Sequence, residues 1–494
     1  MSNSLIRDTT RPVAAWGSSL AEGDHAFYAR IEAFDRRLED ARAFGRACNG
    51  LSTDRQDLSA RQGVTPGQAA GFWAIAGLLI TFYVLRPDAA ETLGTVFLAS
   101  VFALIILVRI AAAVSGLVAR PAKAVLPNCS DAELPVVTIL VPLYDEGADV
   151  VASLIGALRR LNYPSNKLDI KLLLEADDDG TIDAVRQCDL PSWFELIPVP
   201  PAEPRTKPKA LNYGLHSARG EIIAVFDAED RPSPDQAREA VAAFRSGAKD
   251  LAVVQAPLLI HNGGEGWFAK QFQIEYAILF RVWLPFLARA GLPLPLGGTS
   301  NYFCRRRLEA AGGWDAWNVT EDADLGFRLA RFGGRARTIS LPTFEEAPVR
   351  SRDWLKQRTR WMKGHLQTWL VLMRHPLRAA NEMGWASFAS VQLTLFGSLL
   401  ASLMHLPILL WMSLGLFSPL VSLEGWHAAI FGIGYGSVIA AAWASREKGL
   451  SALGLLTLPL YWPLLSIAMI RALLEIRRRP HFWAKTPHGA QTRR

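Results

Sequence analysis

Cysteine is scarce in this chain. It has four in 494 residues, Cys48, Cys129, Cys188 and Cys304, and no two lie closer than 59 positions. That spacing excludes a CxxC-type zinc or redox pair and a disulfide scaffold, and a reducing compartment is the simple reading. Charge is also low, at 20% of residues, with a net excess of +7. Such an excess suits a membrane surface or an anionic substrate and does not by itself describe a nucleic-acid protein. The N-terminal MSNSLIRDTTRPVAAWGSS has no apolar run, so no cleaved signal peptide is expected. No GxxxxGK(S/T) loop exists and no GxGxxG follows a strand, which removes the main support for ATP or dinucleotide binding. What is abundant is apolar: 50% hydrophobic residues, 16 Trp, 23 Phe and a mean hydropathy of +0.15. These values exclude disorder and argue against a wholly soluble chain.

The apolar runs are segregated to the two ends. Gln68–Leu85 carries no charge over 18 residues, about one bilayer of helix. The turn RPDAAET leads into Leu93–Val118, interrupted only by Arg109, which is expected to snorkel to the nearer interface. Residues 68–118 therefore read as a transmembrane hairpin. Ala386–Leu423 is uncharged apart from His405, and its length fits two short spans breaking near His405–Pro407. Gly425–Ser445 and Gly449–Ile470 add two more, so residues 386–472 are expected to hold about four helices, with the SREKG loop facing outward. Arg471, Arg477, Arg478, Arg479, Lys485, Arg493 and Arg494 place the tail, 473–494, on the cytosolic side. Residues 1–67 form a cytosolic leader, in which Phe27, Ile31, Phe34 and Leu38 make the apolar stripe of an amphipathic helix.

Residues 121–385 have no run long enough to span. Leu134–Tyr144, Leu168–Glu175 and Ile222–Phe226 read as buried strands alternating with helices, which predicts a mostly parallel sheet covered on both faces. Ligands bind at the carboxyl ends of such strands, where the acidic turns ADDDG and DAED sit. Two carboxylate clusters there point to a cation-bound or hydroxyl-rich substrate. Thr320 precedes the helical run EDADLGFRLARFG, whose acidic residues suit a helix N-terminus. Trp354–Leu372 reads as an interfacial amphipathic helix.

The motifs VPLYDE (141–146), EADDDG (175–180), KPKALN (207–212), FDAED (226–230), GGTSN (297–301), VTEDADLG (319–326) and QRTRW (357–361) occur in one order. Together they resemble the processive family 2 glycosyltransferases, the group containing bacterial cellulose synthase, hyaluronan synthase and chitin synthase. The resemblance implies a GT-A type, Rossmann-like glycosyltransferase domain inserted between transmembrane helices.

It also implies roles. Asp322, with Glu321 beside it, supplies the catalytic carboxylates, Asp322 taking the proton of the attacking hydroxyl. Asp227 and Glu229 stand where the family's DxD motif holds Mg²⁺ or Mn²⁺ against the leaving diphosphate; the second Asp is replaced by Glu, with Asp230 adjacent. Tyr144, Glu146, Asp177, Asp178, Lys209, Asp227, Gln357 and Arg360 would contact the UDP-sugar, and Lys207 would be an exposed structural lysine. Trp361 would be the floor under the acceptor sugar, with Thr299, Ser300 and Asn301 at the acceptor mouth. HFWAKTPHG (481–489) is similar to a gating-loop motif, so Thr486 and Trp483 would close over the donor, with Lys485 and His488 nearby. The implied protein is an enzyme of the bacterial inner membrane that polymerises UDP-glucose, the favoured donor, into a β-linked polysaccharide. Its partners are the growing polymer acceptor and the lipid bilayer, with room for periplasmic or regulatory subunits and no nucleic acid. The alternatives are transfer of one sugar to a lipid carrier and an inactive receptor or scaffold.

Overall fold

The protein is described here by a computed structural model covering residues 25–119, 123–418 and 423–483, with side chains from Asp40 onward. Ten strands form the soluble part: β1 (Val137–Leu143), β2 (Leu168–Glu175), β3 (Phe194–Val199), β4 (Ile222–Val225), β5 (Arg231–Pro232), β6 (Leu251–Gln255), β7 (Leu258–Ile260), β8 (Asn301–Cys304), β9 (Arg335–Thr338) and β10 (Thr343–Glu345). The main sheet has the order β3-β2-β1-β4-β8-β6-β9, and β5-β10-β7 make a small second sheet. β1 runs parallel to β2 and β4, while β8 is antiparallel between β4 and β6.

Both faces of the main sheet are covered, which explains why β1 is apolar without alternation. Leu140 enters one core with Leu173, Ile223 and Phe303, while Ile139 and Val141 enter the other with Leu172 and Ala224. The antiparallel β8 has a functional consequence. Pairing Val225 with Asn301 puts GGTSN beside the end of β4, so it meets DAED at one edge of the sheet.

The remaining elements frame this edge. Helix α1 (His25–Asp54) buries Ala43, Ala47, Cys48 and Leu51. Trp317 Nε1 donates to Cys48 O at 3.1 Å and Asn212 Nδ2 to Ala47 O at 3.3 Å, so this end of the helix docks on the soluble domain. The expected stripe Phe27, Ile31, Phe34 and Leu38 lies outside the described side chains. Then come α2 (Pro66–Leu85), α3 (Pro87–Val118), α4 (Trp267–Ile278), α5 (Glu321–Arg331), α6 (Ser351–Leu372), α7 (Trp385–Phe417), α8 (Gly425–Ala444) and α9 (Leu458–Arg478).

Five of these, α2, α3, α7, α8 and α9, are long and apolar enough to cross a membrane. The expected break near His405–Pro407 is absent, because α7 continues through Pro407. A hydroxyl repairs the ladder: Leu406 N donates to Ser466 Oγ at 2.9 Å, and Ser466 Oγ donates to Ser402 O at 2.5 Å. Inserted side chains of this kind let proline persist in apolar helices.

α9 differs from the other four. Near its start Tyr461 Oη accepts from Trp354 Nε1 at 2.8 Å, and near its end Glu475 pairs with Lys363 at 3.4 Å. Both Trp354 and Lys363 belong to α6, so α9 runs along α6 rather than away from the domain. α8, in contrast, returns to the end of α3: Arg446 Nη2 donates to Leu117 O at 2.8 Å, and Glu447 pairs with Arg281 at 3.8 Å. The SREKG loop therefore lies on the soluble domain's side, a correction to the outward placement. Arg109 is corrected too. It does not reach an interface but donates to Ser437 Oγ on α8 at 3.3 Å. Crossing by α2, α3, α7 and α8 alone would leave the soluble domain and the end of α9 on one side.

This arrangement predicts labelling in a cysteine-free background. Lys448→Cys and Arg477→Cys should react with an impermeant thiol reagent from the side of the soluble domain, and Ser418→Cys from the opposite side. Labelling of Arg477→Cys together with Ser418→Cys would mean that α9 crosses.

Candidate active site

A cavity of about 410 Å³ opens at the carboxyl edge of the sheet. β1 delivers Tyr144 and Glu146, β4 delivers Asp227 and Glu229, and the turn before β8 delivers Gly297, Gly298 and Thr299. Glu321 and Asp322 enter from the first turn of α5, and Gln357, Arg360 and Trp361 from α6. Five separated motifs thus share one wall.

Gly298 stands at the centre. A Cβ built there would lie 3.4 Å from Asp322 Oδ2 and 3.9 Å from Asp227 Oδ2, so both carboxylates face the same gap. Lys207 Nζ bonds Asp227 Oδ1 and donates to Gly298 O at 2.6 Å.

Lysine placement corrects the sequence reading. Lys207 lines the cavity, whereas Lys209 is fully buried, paired with Glu175 at 2.9 Å and donating to Pro200 O at 3.3 Å. Residues two apart on a helix point about 200° apart, so only one lysine of KPK can face the site. The two acidic turns also differ from each other. Asp177 pairs with Arg205, and Asp178 accepts from Asp145 N at 2.5 Å and caps the following helix through Thr181 N at 3.2 Å. Neither aspartate lines the cavity. Asp177 supports Arg205, which does line it and whose guanidinium lies 5.2 Å over the Tyr144 ring.

Within GGTSN, Thr299 lines the cavity, but its hydroxyl is engaged by Asp230 and Val225 O. Ser300 Oγ donates to Thr343 Oγ1 at 2.6 Å, and Asn301 Nδ2 to Gly297 O at 2.6 Å. Ser300 and Asn301 are buried in the sheet and do not line the cavity; they shape the loop behind it. Thr486, Lys485 and His488 lie outside the described residues. Trp483 is within them: it lines the cavity, with Arg360 5.6 Å over its ring.

The electrostatics are those of crowded acid. Burial, reinforced by Asp322, pushes Glu321 up to about 7, with Lys207 opposing. Burial also raises Asp322, against the Ala323 N–H, Lys207 and Arg360. Asp230 is held well above the carboxylate range by burial and by Asp227 and Glu229. Glu345, from the second sheet, is raised the same way by burial, Asp230, Glu229 and Asp227. Lys207 rises above its ordinary value because Asp227 and Glu321 outweigh its burial. Glu345 and Arg205 carried no sequence signal, since neither stands in a recognisable motif.

An excess of carboxylate over Lys207 and Arg360 fits a hard divalent cation. Asp227 and Glu229 face the cavity and would hold it. Asp230 is turned inward at 0% exposure, accepting from Asp227 N at 2.7 Å, so it is a scaffold for Asp227. Among the described residues no three His, Cys, Asp or Glu converge on one point, so phosphate oxygens of a substrate would complete the shell. Gln357 Oε1 and Arg360 Nε, from residues on the cavity wall, are buried without a hydrogen-bond partner among the described residues.

Trp361 packs on Tyr276, ring centroids 6.4 Å apart at 25°, and Arg358 lies 4.6 Å over its ring. Arg358 is itself tied to half-buried Glu275, to which Tyr461 Oη donates at 2.8 Å. The indole is thus fixed from behind where it lines the cavity.

Residues 222–467 match the family model described as Glycosyl transferase family group 2. The chain carries a family 2 glycosyltransferase domain. Its fold is GT-A, a mixed α/β sheet joined to the apolar helices. A probable glycosyltransferase of Bacillus subtilis, YdaM, is 29% identical over 242 residues, 47% of this chain and 56% of that protein. The beta-monoglucosyldiacylglycerol synthase of Trichormus variabilis is 29% identical over 241 residues, 48% of this chain and 50% of its own. Glucomannan 4-beta-mannosyltransferase 7 of Arabidopsis thaliana is 24% identical over 268 residues, covering 52% and 48%. The chain spans about half the length of these relatives. The mannosyltransferase PcManGT from Pyrobaculum calidifontis, solved with GDP-Man and Mn²⁺, superposes with a TM-score of 0.47 at 20% identity, covering 76% of this chain and 98% of that one.

A second cavity of about 690 Å³ lies among α3, α7, α8 and α9. Leu279, Trp283, Thr394 and Ser398 line both cavities, so the two adjoin through a shared wall.

Two lysine variants separate the roles. Lys209→Met leaves Glu175 buried without its ionic partner and should lower stability by on the order of 3 kcal/mol, read as a fall in melting temperature. Lys207→Met breaks a less buried pair, so it should lower the melting temperature by less, and it removes a cation that holds Glu321 and Asp322 down. Both carboxyls then rise, so the acidic limb of the pH–rate profile moves to higher pH.

Proposed function

We propose that the protein is an inverting hexosyltransferase using a UDP-sugar, with UDP-glucose the favoured donor. Asp322 takes the proton from the acceptor hydroxyl as that oxygen attacks the anomeric carbon. Asp322 must be ionised to do this, so activity is lost as pH falls through its raised pKa. A divalent cation, Mg²⁺ or Mn²⁺, on Asp227 and Glu229 would neutralise charge developing on the departing diphosphate. Lys207, Arg205 and Arg360 surround the donor's anionic end, and Trp361 presents an apolar ring to the acceptor sugar. The acceptor is a growing β-linked polysaccharide that leaves through the adjoining cavity, in the inner membrane of a bacterium with the catalytic domain cytosolic. What supports this reading is that the two cavities adjoin across Leu279, Trp283, Thr394 and Ser398, which sets a product made at Asp322 beside a route into the helices. A second reading, transfer of one sugar to a lipid, is favoured by the mostly apolar lining of that route.

The test is UDP release by the full chain reconstituted in lipid, offered UDP-glucose, UDP-N-acetylglucosamine, UDP-galactose and UDP-glucuronate separately with Mg²⁺ or Mn²⁺. Turnover with UDP-glucose and a long product is expected, and a product extractable as a glycolipid with one added sugar would replace the polymer reading. Asp322→Asn should reduce turnover by roughly 10²–10⁴-fold while donor binding persists. Unchanged turnover would remove Asp322 as the base.

A further inference from the structure

The second cavity contains a charge that the transfer chemistry does not use. Arg109 is nine residues from the end of α3, roughly 13 Å along the helix, and so lies well inside an apolar layer about 30 Å thick. Its Nη1 makes a long bond to a neutral hydroxyl, Ser437 Oγ, at 3.3 Å. Among the described residues no carboxylate lies within ion-pair distance of it. The lining holds one carboxylate, Glu275, and its Oε2 is already engaged by Arg358 and Tyr461. Beside Arg109 on the same wall, His405 has a buried Nδ1 with no hydrogen-bond partner among the described residues. The His405 ring is fixed by stacking on Trp462 at 5.6 Å and 20°. The rest of the lining is predominantly aliphatic and aromatic.

An arginine left without a counter-charge in such a place is costly, and intramembrane charges persist where they meet a partner. A neutral sugar chain supplies hydroxyls but no charge. A phosphate supplies both the charge and the paired oxygens that match a guanidinium fork, and acyl or prenyl chains match the apolar lining. We propose that the cavity among α3, α7, α8 and α9 is a binding site for a lipid phosphate, its phosphate seated on Arg109 with His405 alongside and its chains against the apolar wall. A lipid here and a polymer in the same cavity exclude one another, so this occupant belongs to the protein before a chain enters, and its binding does not depend on the transferase reading.

The test uses the full chain in maltoside detergent and native mass spectrometry. Phosphatidic acid is compared with diacylglycerol of the same chains, with UDP binding measured on the same samples. The wild type should retain one phosphatidic acid with at least about ten-fold preference over diacylglycerol, the discrimination that one charge-assisted contact gives. Arg109→Gln should lose that preference while UDP binding is unchanged, and Arg109→Lys should keep most of it. Equal retention of the two lipids by the wild type, or an undiminished preference in Arg109→Gln, overturns the proposal. Inorganic phosphate at millimolar concentration should not displace the lipid; displacement would make the site one for a free anion and also overturns it. Should Arg109→Gln fail to fold, the wild-type preference and the lysine variant decide.

Discussion

The structure depends on one electrostatic constraint, the gathering of carboxylates around Gly298 at the end of the sheet. Asp227 and Asp322 approach this glycine from different elements, and Glu321, Asp230 and Glu345 stand behind them. Burying that much like charge is unfavourable unless cations oppose it. Lys207 is placed to do so, bridging Asp227 and the Gly298 carbonyl. What Lys207 and Arg360 leave uncompensated is a field that would suit a metal and that, with burial, keeps Glu321 partly protonated near neutrality. The edge of the sheet thus suits a ligand that would bring positive charge to it.

Helix α6 transmits this organisation to the membrane. One face supplies Gln357, Arg360 and Trp361 to the cavity, while Arg358 and Lys363 reach the other way, to Glu275 and Glu475. Gly364 lets α6 pass against the loop before α5, since a Cβ there would overlap Thr320. Trp361 therefore has a fixed distance to Asp322 because α6 is held by α4, α5 and α9 together.

Much of this was legible in the sequence, and what was not has identifiable causes. β1, β2 and β4 were readable because strands buried on both faces are apolar throughout, and acidic turns mark their ends. KPK misled because the spacing of two lysines does not say which one a helix turns inward. GGTSN identified the loop, but Ser300 and Asn301 face the sheet, a matter of strand pairing that a motif does not encode. Pro407 suggested a break because Ser466, 59 residues later, repairs it, and a partner that distant leaves no local trace. Glu345 and Arg205 come from elements brought in by the fold alone.

The parity of the membrane helices and the geometry of the site share one cause. Composition makes α9 indistinguishable from a crossing helix, yet Tyr461 and Glu475 are both held by α6. Because α9 lies along α6, the chain emerges at Arg479 beside the helix that carries the site. Lys363 Nζ then takes the carbonyls of Arg479 and Phe482 at 3.2 and 2.9 Å, and Gln367 Nε2 takes Pro480 O at 3.0 Å. Those bonds deliver Trp483 to Arg360. Were α9 to cross, the basic tail would end on the far side of the bilayer and the cavity would lose an aromatic wall. An even number of crossings would therefore serve the active site as well as the charge, and the ion pair between Lys363 and Glu475 favours both.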